Sequence, residues 1–486
     1  MKRLLAILTL IAVAGAISAQ DTTAYAKWKE QHRQQLQSFK DSVSDDYKAF
    51  LEQNWREYDL LKSEHRKGLG KPIDQPQVDS SDIQLPEEIK SQPMQDTTFK
   101  PESFGQLLQD TSFEVGYAAE VFKVPFYCRE LVFKLPPSVS KTRLAGTSER
   151  QVTNFWSRLD DEDLRNVVQQ IRAKQQALYL NDWGLVDMVR QLSASVYSEN
   201  ADAQAALAVY LLNKMKFDVR AGKMNGRLVM LFTSLQNIYE RPYVMIDGKK
   251  YYALAKESVT IKKPRISTYQ HQYPKADHAL DLNIYYAPRI GGCLTKYPYR
   301  FTLDGEPMKV SVNKALVDFY ENYPQTELFV YANAAVDESM GLSIEDNLSP
   351  LTRGKSKVEA ANLLLRYMQE GFKYMTDDVQ FTREKTLFCE ENFHYGANDC
   401  EDRSVLFSYL VRNLLNLDVV LLEYDGHVST AVCFADEKVR GDYLKIGGLK
   451  YVVCDPTTKG ARVGQLMRKY RRQTPRLIIL KTNNKR

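Results

Sequence analysis

At 486 residues, 44% apolar and 26% charged, the chain has room for two or three cored domains and lacks the composition of a disordered one. A formal charge of +5 is too balanced to argue for a nucleic-acid partner. Six cysteines in so long a chain make no disulfide framework, and no CxxC or Cys/His spacing marks a metal, so neither metal nor cofactor is expected. The chain opens with MKRLLAILTLIAVAGAISAQ, a basic start, an apolar run from Leu4 to Ala16 and small residues at Ser18 and Ala19. This predicts a signal peptide over 1–19, cut after Ala19, and export to the periplasm or the cell exterior. Cleavage removes Lys2 and Arg3 and takes the charge from +5 to +3. No later segment is long and apolar enough to span a membrane, so the mature chain is not expected to be integral to one.

Residues 20–66 read as an amphipathic helical arm. Tyr25, Trp28, His32, Leu36, Phe39, Val43, Tyr47, Phe50, Trp55 and Tyr58 form one aromatic stripe, and the opposite face mixes both signs of charge. Such a helix suits docking on the body or on an envelope protein partner better than binding an anionic lipid surface. Residues 67–100 are rich in Pro, Asp and Gln and read as an extended linker. Segment 112–135 alternates as strands. Residues 256–349 hold the short β-type runs VTIKK, LDLNIYYA, YRFTL and KVSVN, which predict a β-rich connector, and 357–374 predict a helix.

The C-terminal part carries the chemistry. Cys400, His427 and Asp455 follow one another at intervals of 27 and 28 residues. Asn398 and Asp399 are N-cap types, and an apolar face follows at Leu406, Leu410 and Leu414. Cys400 therefore opens a helix, where the dipole and free amides favour a thiolate and Glu401 and Asp402 oppose one. DVVLLEY, Asp425-Gly426 and HVSTAVCF read as a hairpin whose second strand begins at His427, and YVVCD is a strand that Pro456 stops after Asp455. Thiol, imidazole and carboxylate at neighbouring element ends are the parts of an activated nucleophile. Cys433 and Cys454 read as buried free thiols on adjacent strands. His394 and Tyr395 lie in an insertion before Cys400 that suits a lid or substrate loop, and the basic run Arg468–Arg476 suits a solvated edge.

Residues from about 355 to 470 resemble the core of the transglutaminase-like superfamily, which shares the papain-type fold. The likeness rests on a Cys opening a Leu-rich helix, a strand carrying His and a strand ending in Asp-Pro-Thr. It implies Cys400 as nucleophile, His427 as general base and acid, and Asp455 as its orienter. It is silent on substrate, since the superfamily includes transglutaminases, cysteine proteases, amidases and inactive scaffolds. Family helices often carry a small residue before the Cys, where this chain has Asp399.

The same frame recurs about 200 residues earlier. NADAQAALAVYLLNKMKFDVRAGKMNGRLVMLF, from Asn200, sets beneath the segment from Asp399, with Tyr210-Leu211 under Tyr409-Leu410 and Asn225-Gly226 under Asp425-Gly426. IDGKKYYALA sets beneath IGGLKYVVCD. Arg227 to Tyr251 and His427 to Tyr451 are both 24 residues. The chemical positions there read Ala201, Arg227 and Ala255, none of which suits the role. The expected fold is α+β, a duplicated transglutaminase-like core of helix on antiparallel sheet, with a degenerate lobe at 101–255 and a catalytic domain at 350–486. The expected function is acyl transfer or hydrolysis on a peptide or cell-wall peptide through a Cys400 thioester. The alternative is a non-catalytic envelope scaffold.

Overall fold

The computed structural model describes residues 46–65, 75–78, 88–89, 119–159, 164–255, 264–291, 294, 298–303, 305–434 and 438–480. The signal segment and the first part of the arm lie outside these. The fold is mixed α+β with antiparallel sheets. The strands in chain order are β1 (Trp55–Asp59), the hairpin β2 (Glu120–Phe126) and β3 (Arg129–Leu135), β4 (Val219–Met224), β5 (Arg227–Phe232), β6 (Tyr243–Ile246), β7 (Lys249–Leu254) and β8 (Arg265–Tyr269). A second hairpin joins β9 (Tyr299–Leu303) to β10 (Glu306–Val310). Two-residue strands β11 (Lys373–Tyr374) and β12 (Ala397–Asn398) pair in parallel. Then come β13 (Val419–Tyr424), β14 (His427–Cys433), β15 (Tyr443–Ile446), β16 (Leu449–Cys454) and β17 (Arg476–Ile479).

Two sheets repeat one plan. The first has the order β1-β8-β4-β5-β7-β6 and the second β17-β13-β14-β16-β15 read from the matching edge. Val219 pairs with Phe232 and Val419 with Val432; Met230 pairs with Leu254 and Thr430 with Cys454; Tyr243 pairs with Tyr252 and Tyr443 with Val452. The register is therefore conserved between the sheets at a constant offset of 200 positions. A one-residue slip would turn every side chain to the other face, and the small core behind each sheet shows none. Met224, Leu231, Val244, Tyr251 and Ala253 fill one, and Tyr424, Ala431, Leu444, Tyr451 and Val453 fill the other. On the opposite face each sheet carries a helix, Ala201–Lys214 on β4 and β5 and Cys400–Leu410 on β13 and β14. Both helices are buried in one continuous apolar core that spans the two halves. The hairpins close as the turn residues require, with Asn225 at φ 51°, Gly226 at 77° and Gly426 at 74°.

The arm departs from expectation. Among the described residues it is helical only over 46–52, and Trp55–Asp59 then form β1 on the edge of the first sheet against β8. Leu61 bridges to Tyr243 on the far strand, so the arm closes that sheet toward a barrel. Long-range pairing with an open edge outweighs the local helical period here. Tyr47 and Phe50 do dock on the body, in an aromatic cluster with Trp156, Tyr269 and Tyr273. The described pieces of the predicted linker are also anchored. Val78 donates to the Lys459 carbonyl at 3.1 Å, Lys459 donates to that of Pro76 at 2.7 Å, and Ile89 donates to Tyr443 at 2.8 Å. Among the described residues the predicted β-rich connector is strand only at β8 to β10, and VTIKK lies outside them. LDLNIYYA is irregular apart from a bridge at Leu280, and Lys314–Glu321, Leu328–Asn333 and Glu338–Thr352 are helices that pack apolar faces into the shared core. Cys128 is disulfide-bonded. No helix among the described residues is long and apolar enough to cross a membrane.

The insertion before Cys400 is packed rather than loose. Phe388 stacks on Tyr320 and packs at a tilt against Tyr331, Lys385 pairs with Glu391 in the interior, and Glu390 is buried with Oε1 accepting from the Asp337 amide at 2.9 Å. Burial pushes the Glu390 carboxyl up to about 7, against the pull of the amides that donate to it. The folded value exceeds the ordinary one of 4.5, so the unfolded chain loses its proton first as pH rises. Stability should therefore be highest below about pH 4.5 for this group and fall until about pH 7, by roughly 3 kcal/mol. Glu390→Gln should match the native chain in urea titrations at about pH 4 and exceed it by roughly that amount at about pH 8. An equal difference at both pH values would remove the carboxyl as the cause.

Candidate active site

Asp399 is extended, at φ −111° and ψ −154°, and caps the helix, so Cys400 is its first residue, as the sequence predicts. The helix lies on β14. Ser404 Oγ donates to the Val428 carbonyl at 3.0 Å, and the Val428 amide donates to the Cys400 sulfur. This fixes the thiol beside the residue that follows His427. The matching place in the first half is Ala201, after its cap Asn200. There the amide of Leu228, at the position of Val428, donates instead to Asp202 Oδ1 at 2.7 Å, and Asp202 also pairs with Arg227 at 3.2 Å.

His427 opens β14 directly after the Asp425-Gly426 turn, and Asp455 follows the last residue of β16. The two meet, with His427 Nε2 at 2.9 Å from Asp455 Oδ2. Both are buried. The remaining lone pairs of Asp455 are used as well. Thr458 Oγ1 donates to Oδ2 at 2.9 Å, and the amides of Thr457 and Thr458 donate to Oδ1 at 2.9 and 3.2 Å. Burial alone would raise this carboxyl, but the His427 imidazole and the three donors outweigh it and hold it below the usual range. An ionised Asp455 is acceptor-only, so the proton of a neutral His427 sits on Nε2 and the lone pair on Nδ1.

Cys400 is near this dyad but not joined to it. Its thiol donates to Glu401 Oε2 at 3.2 Å, and no hydrogen bond links it to His427. By strand alternation His427 shares the face of Ala431 and Cys433, whereas the Cys400 helix covers the face of Val428 and Val432. The two side chains thus approach the end of β14 from opposite sides. Only 8% of Cys400 is exposed. Burial, with the carboxylates of Glu401 and Asp399, raises its thiol well above the ordinary value. Burial and these carboxylates outweigh the Val428 amide, which pulls the other way.

Two residues that sequence reading missed complete the site. Tyr470 stacks on the His427 ring at a centroid distance of 4.8 Å and 16°. It stands inside the basic run that was expected to be a solvated edge. That run is built into the fold, with Arg471 on buried Asp442 at 2.9 Å and Arg476 on Glu423. Buried carboxylates on neighbouring strands explain the difference, and nothing in the local composition marks them. Gln369, buried on the helix Lys357–Gly371, donates to the carbonyls of Asp455 at 3.2 Å and Ala461 at 3.0 Å, and accepts from Gly460 at 2.9 Å, clamping the loop that carries Asp455. His394 and Tyr395 serve packing. Tyr395 donates to Glu321 at 2.7 Å, and neither bonds to Cys400 or His427. Cys389, Cys400, Cys433 and Cys454 are free and buried.

Compared with models of protein families, with curated proteins and with solved structures, the chain matches none.

Proposed function

We propose that the chain is an exported cysteine enzyme of transglutaminase-like architecture that breaks peptide amide bonds by acyl transfer. The observation that carries this reading is the 2.9 Å His427–Asp455 contact through Nε2, beside a thiol at a helix start. It leaves Nδ1 as the basic nitrogen. For this the Cys400 thiol must leave Glu401 and come round the end of β14 to the His427 side, where it gives its proton to Nδ1. The sulfur attacks the substrate carbonyl carbon, and the first-turn amides of the helix stabilise the oxyanion. The C–N bond breaks as the imidazolium returns the proton to the leaving amine. Water or a second amine then attacks the thioester, the C–S bond breaks, and the thiol is restored.

The conserved register of the two sheets supports a duplication in which only the second copy holds the triad. Folding of this frame does not require Cys, His and Asp, since Ala201, Arg227 and Ala255 stand in their places. The disulfide at Cys128 supports an oxidising compartment. A second reading, a non-catalytic envelope scaffold, is favoured by the burial of Cys400 and by its hydrogen bond to Glu401.

Incubation of the full chain with a peptide library, with and without an added primary amine, tests the enzyme reading. Cleaved or amine-linked products that build up through a Cys400 thioester are expected. No turnover and no thioester across the library would leave the scaffold reading.

A further inference from the structure

The segment that reads as a linker in sequence touches the candidate site. Gln75 precedes Pro76, which biases it to extended backbone, and Pro76 has no N–H and can only accept. These residues run along the loop that follows Asp455. Lys459 donates to the Pro76 carbonyl at 2.7 Å and Val78 donates to the Lys459 carbonyl at 3.1 Å, a parallel bridge centred on Gln77. Gln75 Nε2 donates to the Thr457 carbonyl at 3.2 Å. The same nitrogen lies 3.5 Å from the backbone carbonyl of Gln369, whose side chain clamps this loop from within.

A second anchor belongs to the frame of both halves. Ile89 is buried in the small core behind the second sheet, and Glu88 accepts from Tyr443 at 3.3 Å and from Lys445 at 3.0 Å. At the matching edge of the first sheet, Glu64 accepts from Tyr243 at 3.0 Å and from Lys250 at 2.8 Å. The anchor at Thr457 differs because it leads to the dyad. The Thr457 carbonyl and the Thr458 amide belong to one planar peptide unit and point opposite ways. The carbonyl accepts from Gln75, and the amide donates to Asp455 Oδ1 at 3.2 Å. The Thr457 amide and Thr458 Oγ1 complete the grip on the carboxylate, whose Oδ2 meets His427 Nε2. A turn of that peptide plane would break the outer and the inner hydrogen bond together, and while both are made each polarises the other. Thr457 and Thr458 are buried, so bulk water does not make good a lost donor.

We propose that Gln75 is a positioning residue of the active site, and that residues 75–78 form a strap that holds Asp455 on His427 through the Thr457–Thr458 peptide unit. A segment far ahead of the catalytic half thereby sets the state of the dyad. The effect of the strap on rate rests on the acyl-transfer reading; its effect on the dyad does not.

Hydrogen exchange at the Thr458 amide and nitrogen NMR of the His427 ring, both on the full chain, test the strap without turnover. Gln75→Glu keeps the shape of the side chain and puts an acceptor where the donor stood. Val78→Pro, added to it, removes the other donor to the loop. Exchange at Thr458 should be about three- to tenfold faster in Gln75→Glu and faster again in the double variant. The His427 tautomer protonated at Nδ1 should gain population in both, because Asp455 is held less firmly against Nε2. Gln75→Lys, which still offers a donor, should restore most of the native protection. On a peptide that the native chain turns over, kcat should fall about three- to tenfold in Gln75→Glu with KM little changed. Native exchange and the native tautomer in a folded double variant would overturn the strap. So would equal losses in Gln75→Lys and Gln75→Glu, since the donor would then not matter. The expected exchange and tautomer shifts in a chain that turns over no peptide would uphold the strap and count against the enzyme reading alone.

Discussion

Cys400→Ala is expected to abolish covalent labelling by a thiol-directed acyl probe, such as a peptide acyl ester or acyloxymethyl ketone, and to reduce peptide turnover to background. The substitution removes one sulfur from the first turn of a helix whose remaining contacts do not involve it. Ser404 still holds Val428, the Asp399 cap is unchanged, and the apolar face at Leu406 and Leu410 stays in the core. Its cost to stability should be about 1–3 kcal/mol, because the buried Val428 amide loses the sulfur that accepts from it, so loss of label in a chain that still folds would be a loss of chemistry. The other described free thiols sharpen the test. Cys389, Cys433 and Cys454 are buried and burial raises each thiol, as it does that of Cys400, so it is the comparison of native and alanine chains that assigns the label. Label that persists at the native level in the alanine variant would sink the nucleophile assignment. Labelling of neither protein, with the fold intact, would favour the scaffold reading, in which the thiol stays on Glu401.

Much of the second half was legible because its signals are local. An N-cap before an apolar period marks the Cys400 helix, Asp-Gly marks the hairpin turn, and Asp-Pro stops the strand at Asp455. The same signals, read twice, anticipated the hairpin and the third strand of each sheet, but not the strands β1, β6, β8, β15 and β17 that extend them. What escaped is what depends on distant partners. Trp55–Asp59 continue a helical stripe in sequence yet complete the edge of a sheet with residues more than 200 positions away. The helices between 314 and 352 follow β-type runs whose composition dominated the reading. Tyr470 sits among arginines whose carboxylate partners, Asp442 and Glu423, no local pattern reveals. The acids around Cys400 were visible as neighbours in sequence, but Asp377 and Glu384 join them only through the packed insertion.

Asp455→Asn separates the role of the dyad from its contribution to the fold. Asparagine has nearly the shape of aspartate, and its oxygen can still accept from the Thr457 and Thr458 amides that now donate to Oδ1. Its amide nitrogen then faces His427 Nε2, where Oδ2 accepts today. Two donors cannot face each other, so the imidazole moves its proton to Nδ1, and the nitrogen meant for the thiol loses its lone pair. The acylation rate should fall about 10³- to 10⁴-fold with KM little changed, because the base is lost while the substrate surface is not. The fold should survive with a cost of about 1–3 kcal/mol, since Thr458 Oγ1 and the imidazole lose a charged acceptor. That cost has its own pH signature. The Asp455 carboxyl is held below its ordinary value, so its contribution is present above that value and disappears as pH falls through the lower folded one. The stability gap between native and variant chains should therefore be full at neutral pH and close in acid. Nitrogen NMR of the His427 ring reads the tautomer directly. A variant with the native tautomer and the native rate would show that the His427–Asp455 contact is structural, and Cys400 would then need another base.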